Sequence, residues 1–260
     1  MNLLKGKNAI ITGAGSGIGK ETAKLFAKEG CNLVLAGRRK DPLLAVKNEI
    51  HENINKNVKI LVEPTDLEDM NDAKALGEKS IKSFGTIEIL VNNAGHSSLA
   101  RSIRYTSDQE WQSVFKVNTD GVFKITQSVI ESMIENKNGT IITVSSVAAI
   151  NPGLLGGASY SSAKAASLAL MRSINSELND KGIRTSTIMP AEVDTPILKG
   201  RPLDPDSKAR STMMMPEDIA NMILLCATMP HRTVIQEVIM SPIQDRDRSK
   251  DIEAARNAKL

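Results

Sequence analysis

Aromatic side chains are scarce in this chain: one tryptophan, four phenylalanines and two tyrosines make up 3% of its 260 residues. A core of that composition has to be assembled from Ile, Leu, Val, Ala and Met. Only two cysteines occur, Cys31 and Cys226, far apart and each among apolar neighbours. They show no metal-ligand spacing and read as buried free thiols, so no metal site is expected. No apolar run approaches the ~18 residues that mark a membrane span. The opening "MNLLKGKNAIITGAG" runs almost directly into a strand, leaving no room for a signal peptide. A cytoplasmic protein without membrane attachment is the expectation. The net charge of +3 is small and evenly spread, which argues against nucleic acid as a partner. Charge alternates even in the tail "DRDRSKD", which reads as a solvated end. There is no repeat, no low-complexity tract and no linker, so residues 1–260 read as one domain.

What is present is an alternation of two patterns. Runs at 8–12, 32–36, 58–62, 87–93, 139–146, 184–190 and 234–240 are short, apolar and rich in β-branched residues. Helical patterns fall at 17–29, 42–54, 69–84, 108–136, 158–180 and 216–228. Nearly continuous apolar strands are those of a parallel sheet covered on both faces. The alternation predicts an α/β fold: a doubly wound, Rossmann-type parallel sheet of about seven strands with helices on both faces. The segment 195–215 carries three prolines and no clear period, and reads as an insertion over the sheet where a substrate lid could sit.

Two local patterns carry chemistry. In "TGAGSGIGKETAKLF", Gly13, Gly17 and Gly19 stand at G-x-x-x-G-x-G spacing between the first strand and the first helix. Glycines there permit positive φ, clear side chains from beneath a pyrophosphate and let the helix pack on the strand. The helix N-terminus offers free N–H groups to phosphate oxygens. The second pattern is "SYSSAKAAS", which sets one of the two tyrosines, Tyr160, four residues before Lys164. A free tyrosine has a pKa near 10, too high for efficient proton transfer at neutrality. A lysine ammonium one helical turn away favours the phenolate.

With Thr12-Gly13, Gly17-Ile18-Gly19, Asp66, "NNAG" at 92–95, Asn118, Ser145-Ser146, Tyr160 and Lys164 in that order, residues 5 to about 245 resemble the compact short-chain dehydrogenase/reductase family. The resemblance implies catalytic roles for Asn118, Ser146, Tyr160 and Lys164. Tyr160 would exchange a proton with the substrate oxygen, which Ser146 would hold. Lys164 would lower the tyrosine pKa and bond the nicotinamide ribose, and Asn118 would anchor a water between Lys164 and solvent. Ser146 is preferred to Ser145 by its distance from Tyr160, and neighbouring strand residues face opposite ways. The resemblance further implies cofactor contacts from Gly13, Ser16, Gly17, Ile18, Gly19, Arg38, Arg39, Asp66, Asn93, Ala94, Gly95, Tyr160, Lys164, Pro190, Val193 and Thr195. One departure is Ala191, which stands after Pro190 where the family usually has glycine. It adds a methyl near the nicotinamide position, with a small shift expected.

The end of the second strand bears on cofactor choice. An acidic residue there would bind ribose hydroxyls and repel a 2′-phosphate. This chain has Gly37 there, followed by Arg38, Arg39 and Lys40. Guanidinium groups match phosphate, so NADP(H) is expected over NAD(H), the alternative being a solvated basic loop. The expected activity is an NADP(H)-dependent oxidoreductase interconverting a carbonyl compound and a secondary alcohol, with oxo or hydroxy acids and oxoacyl thioesters as candidates. A non-catalytic NADP(H)-sensing protein is the alternative, and a nucleic-acid or scaffold partner a more distant one. His96, Arg101, Arg104, Lys199 and Arg201 fall near the expected pocket mouth, where they contact substrate or simply face solvent. A homodimer or homotetramer is expected, because helices 108–136 and 158–180 carry apolar residues on more than one face. Examples are Val122, Phe123, Val129, Met133, Leu168, Leu170, Met171 and Ile174.

Overall fold

The strands form where the apolar runs predict them, with shifted ends. In the computed structural model, which describes residues 2–259, they are β1 (Asn8–Thr12), β2 (Asn32–Gly37), β3 (Ile60–Pro64), β4 (Ile89–Asn92), β5 (Gly139–Val144), β6 (Ile183–Pro190) and β7 (Glu237–Met240). They form one seven-stranded parallel sheet in the order β3-β2-β1-β4-β5-β6-β7. The helices are α1 (Gly17–Lys28), α2 (Lys40–Asn53), α3 (Met70–Phe84), α4 (Asp108–Phe115), α5 (Gly121–Glu135), α6 (Ala158–Leu178), α7 (Ser207–Arg210), α8 (Pro216–Thr228) and α9 (Ser249–Asn257).

Strand alternation divides the interior into two layers. Ile11, Leu33 and Leu35 point to one face and pack with Phe26, Leu43, Val46, Ile219 and Ile223 of α1, α2 and α8. Ile10, Val34 and Ala36 point to the other, against Leu76, Ile125, Val129, Met133 and Met171 of α3, α5 and α6. Both cysteines are buried and free. No helix among the described residues is long and apolar enough to cross a membrane.

Three sequence expectations are corrected by the packing. The run 108–136 is not one regular helix: Lys116–Asp120 forms a π turn between α4 and α5. The cause lies at Asn118, whose buried amide donates to the Val114 carbonyl four residues back at 2.8 Å, in competition with the backbone. The tail is not simply solvated. Arg246 pairs with Glu192 at 2.8 Å and with Asp251 of α9 at 2.9 Å, all three side chains being at most 11% exposed. Most of the apolar residues assigned to a subunit contact pack inside this chain. Val122, Val129, Met133, Leu168, Met171 and Ile174 are buried, whereas Phe123 is exposed.

The chain order reverses direction between β1 and β4. In an open parallel sheet, such a switch point leaves a crevice beyond the carboxyl ends of the strands. The turn after β1 and residues 93–96 after β4 form its two lips.

Candidate active site

The glycine turn is shaped by close backbone approach. Gly13 has φ +66° and Gly17 φ +52°. A Cβ on Gly19 would stand 2.3 Å from the Gly13 carbonyl, so only glycine lets α1 pass this close. Ser16 caps α1 without using its hydroxyl, and no acidic residue sits in the first turn. The amino end of α1 therefore presents unneutralised N–H groups to the cleft, which fits a bound pyrophosphate.

Thr12 ties the two lips together: its Oγ1 accepts from the N–H groups of Asn93 and Ala94, both at 3.0 Å. The Asn93 amide donates to the Thr12 carbonyl at 2.9 Å. Asn93 thus shapes the turn, its side chain bonded to the backbone of the opposite lip. This keystone role of Thr12 was readable only as a threonine before the first glycine.

The cleft is lined by Gly13, Ser16, Gly37, Arg38, Arg39, Asp66, Ala94, Gly95 and His96, among others. Arg38 and Arg39 are exposed, and neither has a carboxylate partner among the described residues. Asp66 accepts the Glu68 N–H at 3.0 Å, fixing its carboxyl at the cleft wall. On the other side, Thr195 comes up against Gly17, where a Cβ would meet its methyl at 3.3 Å. Val193 is buried and bridges Met214, so the segment 195–215 leaves and returns at one point. Pro190 ends β6, and the Ala191 N–H donates to the Met240 carbonyl at 2.8 Å. That backbone contact does not depend on a glycine after Pro190.

Four predicted residues meet beyond Gly95. A Cβ there would lie 3.3 Å from Asn118 Oδ1 and 3.6 Å from Lys164 Nζ. Asn118 spends both amide protons, on the His96 and Val114 carbonyls at 2.7 and 2.8 Å, leaving Oδ1 with one long bond from the His96 N–H. Lys164 is buried, donates to the Val144 carbonyl at 2.8 Å and lies 5.7 Å from the centroid of the Tyr160 ring. Burial lowers its pKa to about 8. Ser145 and Ser146 separate as strand alternation requires. The former donates to the Lys164 carbonyl at 3.1 Å, and the latter lies near enough to the Tyr160 phenol to favour its ionised form.

Burial raises the phenol pKa above its usual value, opposed first by Ser146 and then by the charges of Arg101 and Arg201. These two guanidinium groups add to the Lys164 ammonium that the sequence places one helical turn away. Lys199 and Arg104 are exposed and His96 is half-buried. Arg201 pairs with Glu192 at 2.6 Å.

A doubly wound parallel sheet with a glycine turn at its switch point, a tyrosine one turn ahead of a buried lysine and a serine beside the phenol defines a class. The profile of the short chain dehydrogenase family matches residues 7–205, and the chain belongs to that family. It is 34% identical over 249 residues to the 3-oxoacyl-(acyl-carrier-protein) reductase of Thermotoga maritima, covering 91% of this chain and 96% of that one. It is 31% identical over 243 residues to an uncharacterized oxidoreductase of Staphylococcus aureus, covering 94% and 100%. Among solved structures, a metagenomic short-chain oxidoreductase in complex with NADP superposes with a TM-score of 0.79 at 28% identity, over 94% of this chain and 100% of that one. Levodione reductase gives 0.84 at 25% identity, over 91% and 96%. The chain is an oxidoreductase of this family, acting on CH–OH groups and binding a pyridine nucleotide.

Proposed function

We propose that the protein is an NADP(H)-dependent reductase that interconverts a carbonyl compound and a secondary alcohol. The observation that carries the reading is the meeting of Ser146, Tyr160, Lys164 and Asn118 around Gly95, at the inner end of the nucleotide cleft. A bound nicotinamide supplies or accepts the hydride. Ser146 holds the substrate oxygen, and Tyr160 gives or takes its proton. Lys164 bonds the nucleotide ribose and passes the proton outward, through a water on Asn118 Oδ1, which still has acceptor capacity. Pro190, Val193 and Thr195 close over the nicotinamide side, with 195–215 as a lid. An NADP(H) sensor without turnover is disfavoured, because a sensor has no use for a proton relay.

Preference for the phosphorylated nucleotide is supported by Gly37 and by the unpaired Arg38 and Arg39 at the cleft. The test is a panel of ketones, oxo acids and oxoacyl thioesters with NADPH and with NADH, followed at the nicotinamide absorbance. No turnover despite tight NADPH binding would favour the sensor. Arg38→Ala should weaken NADPH about 10- to 100-fold, the worth of a charge-assisted hydrogen bond, while NADH is unaffected. Equal use of NADH and NADPH by the wild type would reduce the arginines to a solvated surface. We further propose a homo-oligomer located in the cytoplasm, with no nucleic-acid partner and no bound metal.

A further inference from the structure

Two arginines are buried among the described residues, and they are buried differently. Arg184 bonds Thr140 Oγ1 through Nε at 3.0 Å and reaches the carbonyls of Ala227, Met229, Pro230 and Thr233. Those carbonyls close the carboxyl end of α8, whose dipole complements a positive charge. Arg101 has no such complement. It is 4% exposed, and its Nη1 donates to Ser97 Oγ at 2.5 Å and to the Gly156 carbonyl at 2.9 Å. Its Nη2 reaches the Gly200 carbonyl at 3.3 Å, and its Nε has no acceptor. All three partners are neutral. No carboxylate oxygen lies within 4.0 Å; Glu110 acts only through space, its Oε1 being held by Ser98 and the Leu99 N–H. The Arg101 carbonyl meanwhile accepts from Ala158 N–H at 3.2 Å, so the residue sits at the amino end of α6, where the dipole is positive.

Neighbouring charges pair with one another and not with Arg101. Arg201 and Arg246 pair with Glu192, and Arg246 pairs also with Asp251: two cations against two anions. Burial and Arg201 together lower the Arg101 pKa to about 10, as an unpaired interior cation requires. Its charge acts on the Tyr160 phenol. The Arg101 guanidinium therefore stands without an ion pair, balanced only through space by Glu110, and with an unsatisfied donor.

From this geometry we propose that Arg101 anchors the substrate, taking the carboxylate of a short oxo or hydroxy acid whose reacting carbon lies between Ser146 and Tyr160. The proposal rests on the reductase reading above and narrows its substrate class. A carboxylate supplies the directly bonded negative charge that Arg101 lacks. Nε and the second proton of Nη2 form the side edge that binds two oxygens in parallel. Gly200 makes the longest of the three bonds, and its carbonyl is the neutral placeholder that the carboxylate displaces. Because Gly200 belongs to the 195–215 segment, substrate binding and the position of that segment become coupled. An oxoacyl thioester brings no charge to this point.

The test compares short oxo acids with their methyl esters, using NADPH, in the wild type, Arg101→Met and Arg101→Lys. The wild type should favour the acid about 10- to 100-fold in kcat/KM, the worth of one charge-assisted hydrogen bond. Arg101→Met should lose that preference through the acid alone, chiefly in KM, and Arg101→Lys should recover part of it. Equal use of acid and ester by the wild type overturns the proposal while leaving the reductase reading intact. So does a folded Arg101→Met protein in which acid and ester fall together, which would make Arg101 a clamp between loops. A parallel thermal titration with butyrate and with inorganic phosphate covers the case of no turnover, which would sink the reductase reading. A saturable rise in Tm with butyrate, absent in Arg101→Met, keeps the anion site. The same response in both proteins, or a response to phosphate alone, removes it.

Discussion

Tyr160 and Lys164 were legible because a helix fixes where residues four apart must lie. Their energetic relation was not legible, since it depends on burial. Tyr160→Phe removes only the transferable proton. Turnover should fall about 10²–10⁴-fold, the usual contribution of general acid–base catalysis, with nucleotide affinity retained in a fluorescence titration. Residual activity above a few per cent would sink the assignment. Lys164 makes a prediction about stability in the ligand-free protein. Its pKa in the folded chain is lowered from 10.5 to about 8. Between those values the unfolded chain holds more protons, so this lysine makes stability rise as pH rises from about 8 to 10.5. Below pH 8 its penalty is fully present. Lys164→Met should therefore be more stable than wild type at pH 7, with the difference shrinking toward pH 10.5 in denaturant melts. A constant difference across that range would mean that the ammonium is not desolvated in the fold. Arg101 lay beyond sequence reasoning altogether. The groups that surround it come from residues 97, 156 and 200, and only the fold brings them to one guanidinium.

Elements were read best where one pattern filled a whole run. β1, β2 and β5 are apolar because both faces are covered, and their starts were placed to the residue. β3 was set two residues early. It pairs with β2 alone, and its last residues are Glu63 and Pro64, which an apolar pattern does not mark. The π turn was invisible because it changes the winding and not the composition. The tail was misread for the opposite reason: alternating charge looks the same in a solvated coil and in a paired network. In the fold, burial raises the Glu192 pKa, but the bonds from Arg246 and Arg201 outweigh it and hold the carboxyl below its ordinary value. Arg246 does the same to Asp251. Groups lowered in this way stabilise the fold above their unfolded pKa values, 4.5 and 3.8 here, and that contribution is lost as pH falls through the folded values. Arg246→Ala leaves two carboxylates short of a partner at about one-tenth exposure. It should cost roughly 3 kcal/mol at pH 7, the lower end for breaking a buried ion pair, and less below pH 4. A chemical melt showing no loss at neutral pH would return the tail to the solvated end first read from its charges.

At the scale of the whole molecule, the doubly wound sheet was the most legible feature, since every strand and every covering helix contributes to the same alternation. Assembly was the least legible, because an apolar residue on a long helix packs equally well inward or against a partner. The fold sorts these residues. Six of the eight proposed for a subunit contact are buried within this chain, whereas the two exposed aromatic side chains, Trp111 and Phe123, stand on α4 and α5. Trp111 is 36% exposed and stacks on Phe115 with ring centroids 4.7 Å apart, and Phe123 is 42% exposed. A chain with seven aromatic residues has three of them on these two consecutive helices, none in the set of largest fully buried side chains. Aromatic clusters of this kind anchor interfaces, and a twofold axis would bring the same patch from each copy together. Trp111 is the sole tryptophan, so its emission reports on this face without labelling. On association, its emission should shift to the blue and lose quenching by iodide over the concentration range in which sedimentation shows the dimer forming. Phe123→Glu should return both signals to those of the monomer while leaving the far-ultraviolet spectrum unchanged, since the position is 42% exposed and the new carboxylate can reach water. A monomer at micromolar concentration, with Trp111 open to iodide, would show that the stack simply covers the surface of α4.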